Sequence, residues 1–488
     1  MHLWIAVFLR CLPLDAARPQ WSPDAAFAVL DHERIAALTP AAAAAGLRAG
    51  MRRAGAAAMA PDIPLLDRDA PAENTLLHEA SLALLQYTPD IALAGPDTVL
   101  LQVGASLTYF GGPRALHRRV AATLRAMSLH ARLGMAPTAQ GAWLLAHHAA
   151  ARTPRRALQA ATLARRLDAL PCALLPGARP RLEWLGDLGC HTLGALRRLP
   201  RAGLQRRCGT TLTQELDAAY GAQPECHAWI QPPARFRQRL ELPDYLQHAD
   251  ALLAWTRRLL EPLCGWLAAR RRAVQHLNLI LEHERGRHAR APTELPLSLA
   301  QPAWQQSHLL DLLREKLDRL QLQAPVIALV LSVTDTVEQP AASACLFPEP
   351  GGTPAEHARL IDLLSARLGR HRVLHAQPVA DHRPEVANGW QAAQDGPAGM
   401  AAHPGPLDRP FWLLDPPLQL TEAGHRPVYA GQALRLVRGP ERIESGWWDA
   451  PLTVRDYFVA EDAATVRYWI YRERDTEHAR WFLHGRYA

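Results

Sequence analysis

At 488 residues the chain is too long for one hydrophobic core, and a prior of roughly 100–200 residues per domain gives three or four. Its net charge of +7 is carried almost wholly by arginine, since Lys316 is the only lysine. Guanidinium groups fork onto phosphate and stack on bases, which suits a nucleic-acid partner; a coding bias towards Arg and Ala explains the same balance. The seven cysteines, Cys11, Cys172, Cys190, Cys208, Cys226, Cys264 and Cys345, include no CxxC pair, and only Cys226 has an adjacent His. Adjacent residues rarely chelate one metal and the wide spacing of the others has no partner residues nearby, so it reads as chance and as the pattern of a reducing compartment. Trp4 to Leu9 is apolar but too short to span a membrane, and no cleavage-type segment follows it. The expectation is a cytosolic protein with no signal peptide and no membrane association.

In chain order, Leu3 to Leu9 reads as a buried first strand, and Pro13 then starts a helix. Asp15, beyond the strand, is expected on the solvent side of that helix. Phe27 to Asp31 is the next strand. Gly46 and Gly50 in the run GLRAGM suit a helix exit and a turn. Met51 to Ala60 reads as a short helix, with Arg52 and Arg53 solvated at its start or touching nucleic acid. Asn74 to Tyr87 has apolar residues at helical spacing. Val99 to Val103 is a buried strand, entered through Gly95-Pro96-Asp97 and left towards Gly111-Gly112. Ala115 to Leu129 is helical, His130 to Met135 a strand, and another helix carries His147 and His148, expected as surface groups.

These stretches resemble the palm and fingers of the Y-family (DinB/UmuC-type) DNA polymerases; GLRAGM matches that family's G-V-x-x-G-M turn. The resemblance implies a site for two catalytic metals, yet its positions are depleted. Ile5, Ala6, Val7 and Phe8 stand, within one residue, where the family has an Ile-Asp-Met-Asp-type strand. Asp97-Thr98 stands for its Asp-Glu pair and Gln102 for the following Asp. Pro40 and Ala43 replace the triphosphate-holding Tyr and Arg, and Thr138 and Ala139 replace an Asn-Lys pair. The degenerate metal-site positions are therefore Ala6, Asp97 and Thr98. Two-metal phosphoryl transfer needs several carboxylates, so no catalytic residue, metal ligand or cofactor is expected unless Asp97 teams with Asp31 or Asp90.

Leu167 to Tyr220 reads as a small helical region with a tight turn at Leu185-Gly186-Asp187-Leu188-Gly189. It resembles the family's thumb, where helix–turn–helix amides sit on DNA phosphates. After Gln231-Pro232-Pro233 comes the order strand, helix, strand, strand, helix, strand: 235–242, 249–270, 274–283, 293–299, 307–322 and 326–333. Leu277, Leu279 and Leu281 alternate with His276, Asn278 and Ile280. The order resembles the little finger of the same family. Arg197, Arg198 and Arg206 in the thumb-like region and Arg270, Arg271 and Arg272 in the finger-like one are candidate DNA contacts, or else a solvated rim. Ser343, Ala344, Cys345, Leu346 and Phe347 resemble a degenerate sliding-clamp peptide whose Leu-Phe pair enters an apolar pocket; linker anchoring is the alternative. Residues 354–368 read as a helix, and the polar passage on to Pro410 as poorly ordered.

A β-rich C-terminal module, with Gly446-Trp-Trp-Asp449 and Tyr468-Trp-Ile-Tyr-Arg-Glu-Arg474, closely resembles the C-terminal region of the ImuB family. These are polymerase-like members of bacterial damage-inducible mutagenesis cassettes. Its Trp and Arg residues suit either base stacking or core packing, and core packing is the default expectation. The expected fold class is α+β multidomain: palm and fingers over 1–165 (fingers about 18–75), helical thumb over 166–230, β-α-β-β-α-β little finger over 235–336, clamp peptide and linker over 337–408, and β-rich module over 409–488. The family implies a non-catalytic adaptor for translesion synthesis. Its partners would be DNA, the sliding clamp (β subunit), a DnaE-type error-prone polymerase and a RecA-like ImuA protein. The alternative function is an active Y-family translesion polymerase.

Overall fold

The computed structural model describes residues 2–150, 154–284, 290–322, 324–339, 353–395, 409–448, 452–474 and 480–487. The chain divides into two compact units, Met1–Arg359 and Leu360–Ala488.

The first unit opens with β1 (Trp4–Leu9) and α1 (Leu12–Ala17), followed by β2 (Ala28–Asp31), β3 (Arg34–Leu38), α2 (Pro40–Ala44), α3 (Arg53–Met59) and β4 (Leu65–Asp67). The three short strands form a sheet of order β3-β2-β4, antiparallel between β2 and β3 and parallel between β2 and β4. Gly46 and Gly50 have φ of +100° and +82°, values a β-carbon disfavours, and so allow the chain to leave α2 and turn. Arg53 is not a free helix-start cation, because it pairs with both Glu33 and Asp67.

Next come α4 (Ala70–Leu84), β5 (Ile91–Leu93), β6 (Thr98–Gln102), α5 (Pro113–Ala126), β7 (Ala131–Ala136) and α6 (Ala139–His147). The central antiparallel sheet has the order β5-β6-β1-β7. Period-2 alternation sends Ile5, Val7, Val99 and Leu101 into one core with Leu77, Ala80, Leu84, Leu116 and Val120 of α4 and α5. Trp4, Ala6 and Leu100 face the other way, into a core shared with α6 and the helices beyond it. A β-carbon at Gly134 would collide with the Ala142 carbonyl, so α6 lies directly on β7.

Five helices follow: α7 (Ala160–Asp168), α8 (Leu182–Asp187), α9 (Leu193–Arg198), α10 (Arg201–Cys208) and α11 (Thr210–Tyr220). Then come β8 (Arg237–Leu246), α12 (Ala249–Arg270), β9 (Arg272–His283), β10 (Thr293–Ala303), α13 (Gln306–Asp318) and β11 (Val326–Glu338), with antiparallel sheet order β10-β9-β11-β8. Leu277, Leu279 and Leu281 are buried, while His276, Asn278 and Ile280 are half-buried. Besides α13, α12 packs against α4, and a β-carbon at Gly265 would collide with the Leu82 carbonyl. Gly265→Ala is accordingly expected to lower the unfolding free energy by about 1–3 kcal/mol, the usual overpacking cost, in a urea titration.

The helix α14 (Pro354–Leu368) spans the boundary between the units. In the second unit, β12 (Leu374–Pro378) and β13 (Asn388–Ala392) pair as antiparallel strands. The expectation of poor order is therefore wrong for residues 370–395: backbone pairing satisfies groups that the polar, Pro-rich sequence seemed to leave to water. Residues 396–408 lie outside the described residues.

The remaining strands, β14 (Trp412–Ala423), β15 (Arg426–Tyr429), β16 (Gln432–Ala433), β17 (Arg435–Ser445), β18 (Thr453–Glu461), β19 (Arg467–Glu473) and β20 (Trp481–Arg486), form one sheet of order β16-β15-β14-β20-β19-β18-β17. Both faces carry cores, one around Leu420, Tyr468, Ile470 and Leu483, the other around Ile443, Tyr457, Trp469 and Tyr471. Core packing thus holds for Trp469 and Trp481. It fails for Trp412, Trp447 and Trp448, which are 72%, 77% and 55% exposed.

His484 is buried beside Tyr457, whose hydroxyl lies 2.8 Å from its Nδ1. Burial lowers the His484 pKa to about 4 from an ordinary 6.5. A depressed folded pKa gives stability that is present above the ordinary value and lost as pH falls through the folded one. Acidification from about pH 6.5 to 4 is therefore expected to destabilise the second unit by an amount on the order of 3 kcal/mol, and His484→Gln should flatten that dependence in a pH series of denaturant melts.

Candidate functional site

Antiparallel register sets Phe8 of β1 directly opposite Thr98 of β6, and Ala6 opposite Leu100. Phe8, and not Ala6, is thus the β1 residue beside Asp97 and Thr98; Ala6 is fully buried in the core under α6. The Phe8 ring stacks on His147 at 4.0 Å between centroids, and His147 stacks on Trp143 at 3.7 Å. Arg132 sets its guanidinium 5.1 Å from the centroid of Phe8. His147 is therefore not a surface group: its side chain is 12% exposed, held between two rings. Its partners come from β1 and from its own helix one turn back, a combination the spacing of a single helix cannot reveal.

The Thr98 hydroxyl donates to Asp97 Oδ1 at 2.8 Å. His147 Nδ1 lies 2.9 Å from the Trp143 carbonyl, which requires the proton on that nitrogen. Nε2 then faces the Thr98 hydroxyl at 3.4 Å and Asp97 at 3.8 Å. Burial pushes the Asp97 pKa up, but the nearby His147 imidazole and the hydrogen bond from Thr98 outweigh it and hold the carboxyl below its ordinary value. Asp97 is thus a lone carboxylate against stacked rings. Among the described residues there is no group of three or more His, Cys, Asp or Glu side chains placed to hold a metal ion. Neither Asp31 nor Asp90 joins Asp97: Asp31 is bonded to His32 and Arg68, and the Asp90 carbonyl accepts from the Gln102 amide at the opposite end of β6 from Asp97.

At the other end of α6, Thr138 caps the helix by accepting from the Gly141 amide at 3.1 Å. The next two amides, of Ala139 and Gln140, both donate to the Glu225 carboxylate at 2.7 Å. Past Glu225 the chain stays on the central sheet: Trp229 stacks on Trp4, His227 packs tilted against it, and the Ile230 amide donates to the Ile91 carbonyl at 2.8 Å. An internal carboxylate therefore neutralises the amides that open this helix.

Asp15 is also not on the solvent side. It is 1% exposed and accepts from Trp21 Nε1 at 2.8 Å and from the His130 amide at 3.0 Å, with His130 Nδ1 at 2.7 Å. It ties α1 to the loop before β2 and to the start of β7. Its partners lie 6 and 115 residues away, so no local pattern announces the role.

The candidate DNA-contacting arginines fall on two parts of the first unit. Arg197 and Arg198 end α9 and Arg206 lies on α10, all exposed. Arg197 sits 4.3 Å over the Tyr220 ring at a cavity of about 450 Å³ that Arg201, Asp217 and Leu216 also line. Arg270, Arg271 and Arg272 turn the corner from α12 to β9. Arg271 is exposed in a left-handed conformation, φ +50°. Arg270 lies over Trp266, and Arg272 donates to the Thr336 hydroxyl at 3.0 Å, so both guanidinium groups already have partners within the fold. Ser343, Ala344, Cys345, Leu346 and Phe347 lie outside the described residues.

Residues 15–147 match the model of the impB/mucB/samB family. Two curated proteins, each named Protein ImuB and from Caulobacter vibrioides strains NA1000 / CB15N and ATCC 19089 / CIP 103742 / CB 15, are 27% identical over 467 residues, covering 90% of this chain and 99% of their own. Among solved structures, one titled "Dbh Ternary Complex (substrates partially disordered)" aligns with 69% of this chain and 99% of its own at 17% identity and a TM-score of 0.39. No helix among the described residues is long and apolar enough to cross a membrane.

Proposed function

Because this chain is an ImuB-like, Y-family polymerase-related protein, we propose that it is a non-catalytic adaptor in damage-induced mutagenesis. It links DNA and the sliding clamp (β subunit) to a DnaE-type error-prone polymerase and a RecA-like ImuA partner in the cytoplasm. The observation that carries this reading is the stack of Phe8, His147 and Trp143 beside Asp97. Phosphoryl transfer by two metals places both ions between convergent carboxylates, and here one carboxylate stands beside an imidazole stacked between two aromatic rings. The Glu225 carboxylate on the α6 amides further disfavours an anionic triphosphate there.

DNA contact is assigned to the exposed guanidinium groups of Arg197, Arg198, Arg206 and Arg271, with Arg270 and Arg272 shaping the corner that presents Arg271. Clamp binding is assigned to Ser343–Phe347. Replacing Leu346 and Phe347 together by Ala is expected to weaken clamp capture at least tenfold in a pull-down with purified clamp, because such anchors each carry about 2 kcal/mol or more. Capture equal to that of the unaltered protein would remove the clamp from the assignment.

A further inference from the structure

Beside Phe8 and Asp97 the central sheet gathers arginines that no carboxylate answers. Arg132 is the cross-strand partner of Phe8. After α6 the chain returns to the outer edge of β7, where the Met135 amide donates to the Arg155 carbonyl and the Ala157 amide to the Met135 carbonyl, both at 2.8 Å. That pairing fixes Arg155 near Arg132. Their guanidinium groups meet on one acceptor, the His148 carbonyl, at 3.1 Å from Arg132 Nη1 and 3.4 Å from Arg155 Nη2. Arg10, one residue past β1, is exposed, and its charge acts on both Arg132 and the Cys11 thiol.

Helix capping accounts for only part of this cluster. The His148 and Ala150 carbonyls that accept from these side chains follow α6, and a helix C-terminus carries about half a negative charge. Three guanidinium groups against that half leave an excess of about +2.5. Among the described residues no carboxylate pairs with Arg10, Arg132 or Arg155. Asp97 is turned to Thr98 and His147, and Asp15 to Trp21 and His130. Burial, and then the charges of Arg155 and Arg10, hold the Arg132 pKa below its ordinary value. The Nε–H groups of Arg132 and Arg155 are also both buried without an acceptor, and an unmet buried donor is costly. An anion relieves the repulsion and satisfies the donors together. A peptide carboxylate brings a single charge, whereas a terminal phosphate brings about −1.5 to −2 and fits the guanidinium fork.

We propose that Arg10, Arg132 and Arg155 form a phosphate-binding site that works without a metal ion. The ligand is a terminal phosphate or a polyphosphate, carried by a free nucleotide or by a DNA end; the singly charged phosphodiester between two nucleosides balances less of the excess. The site is separate from the amides that open α6, which Glu225 occupies, and from the exposed arginines assigned to DNA above. It rests on the non-catalytic reading only in dispensing with metal, and primer extension tests that reading independently.

The test is titration calorimetry of the full-length protein with pyrophosphate in buffer containing EDTA. Binding is expected without added Mg²⁺. Arg10→Ala and Arg132→Ala should each weaken it at least about tenfold, the loss of one charge-assisted hydrogen bond. Arg10 is exposed, so its variant should keep the circular dichroism spectrum of the unaltered protein even if the Arg132 variant does not. Arg118→Ala, which removes an exposed cation from α5, should leave binding unchanged. Tighter binding of a nucleoside triphosphate than of pyrophosphate would assign the site to free nucleotide. Tighter binding of a 5′-phosphorylated oligonucleotide than of its unphosphorylated form would assign it to a DNA end. No binding of pyrophosphate, binding only when Mg²⁺ is added, or equal weakening by Arg118→Ala would overturn the proposal.

Discussion

Asp15→Ala is expected to lower the unfolding free energy by about 3 kcal/mol in a urea titration followed by circular dichroism. The side chain is 1% exposed, and it satisfies the indole N–H of Trp21 and the backbone N–H of His130. Removing it takes the acceptor from both donors in a partly buried site, and each lost bond costs about 1–3 kcal/mol. It also releases the stacked pair of Trp21 and His130, whose centroids lie 4.4 Å apart. Asp15→Asn, which keeps one acceptor oxygen, should cost less than the alanine change. A loss below about 0.5 kcal/mol for Asp15→Ala would show that these bonds do not hold α1 and the loop before β2 to β7.

The second large effect is at the contact of α12 with the central domain. Arg258 is 4% exposed, its Nε has no hydrogen-bond partner, and the nearby Glu79 carboxyl lies on α4. Burial raises the Glu79 pKa, although Arg258 and a hydrogen bond from Gln238 pull it down. Arg258→Ala removes a buried cation that pulls the Glu79 pKa down without forming an ion pair with it, and with the lost packing of the side-chain stem should cost about 1–3 kcal/mol. Replacing both, Glu79→Leu with Arg258→Met, should be neutral or stabilising by about 1–4 kcal/mol, because it removes two desolvation penalties together. A carboxyl with a raised folded pKa favours folding below its ordinary value and loses that advantage as pH rises through the folded value. The cost of ionising Glu79 should therefore grow with pH in the Arg258→Ala protein and be absent in the double variant. Equal destabilisation by the single and double changes would contradict this account.

Much of the architecture is legible in the chain because it rests on local signals. The alternation of Leu277, Leu279 and Leu281 with polar neighbours places β9, and the whole order from β8 to β11 follows from strand and helix periodicity. The turn glycines Gly46 and Gly50 sit at positive φ, where GLRAGM implies them. The short strands β3, β4 and β5 are missed because runs of three to five residues carry too little pattern.

At the candidate site, the scarcity of carboxylates is readable from Asp97 and Thr98, but what fills the space is not. Phe8 meets His147 only through sheet pairing and the passage of α6 across β7, a contact between residues far apart in sequence. Asp15 looks solvated for the same reason, since its donors come from a loop and from β7. Trp412, Trp447 and Trp448 look like core because composition says that tryptophan is usually covered; in the fold Trp412 starts β14 and Trp447 and Trp448 follow β17, all exposed, with Arg383 over the Trp448 ring.

Primer extension on a templated duplex, with Mg²⁺ or Mn²⁺ and all four nucleotides, tests most directly whether the space beside Asp97 has lost its metal chemistry. The account predicts incorporation no greater than in the protein-free control and no change on Asp97→Ala. Sustained incorporation that Asp97→Ala abolishes would contradict it.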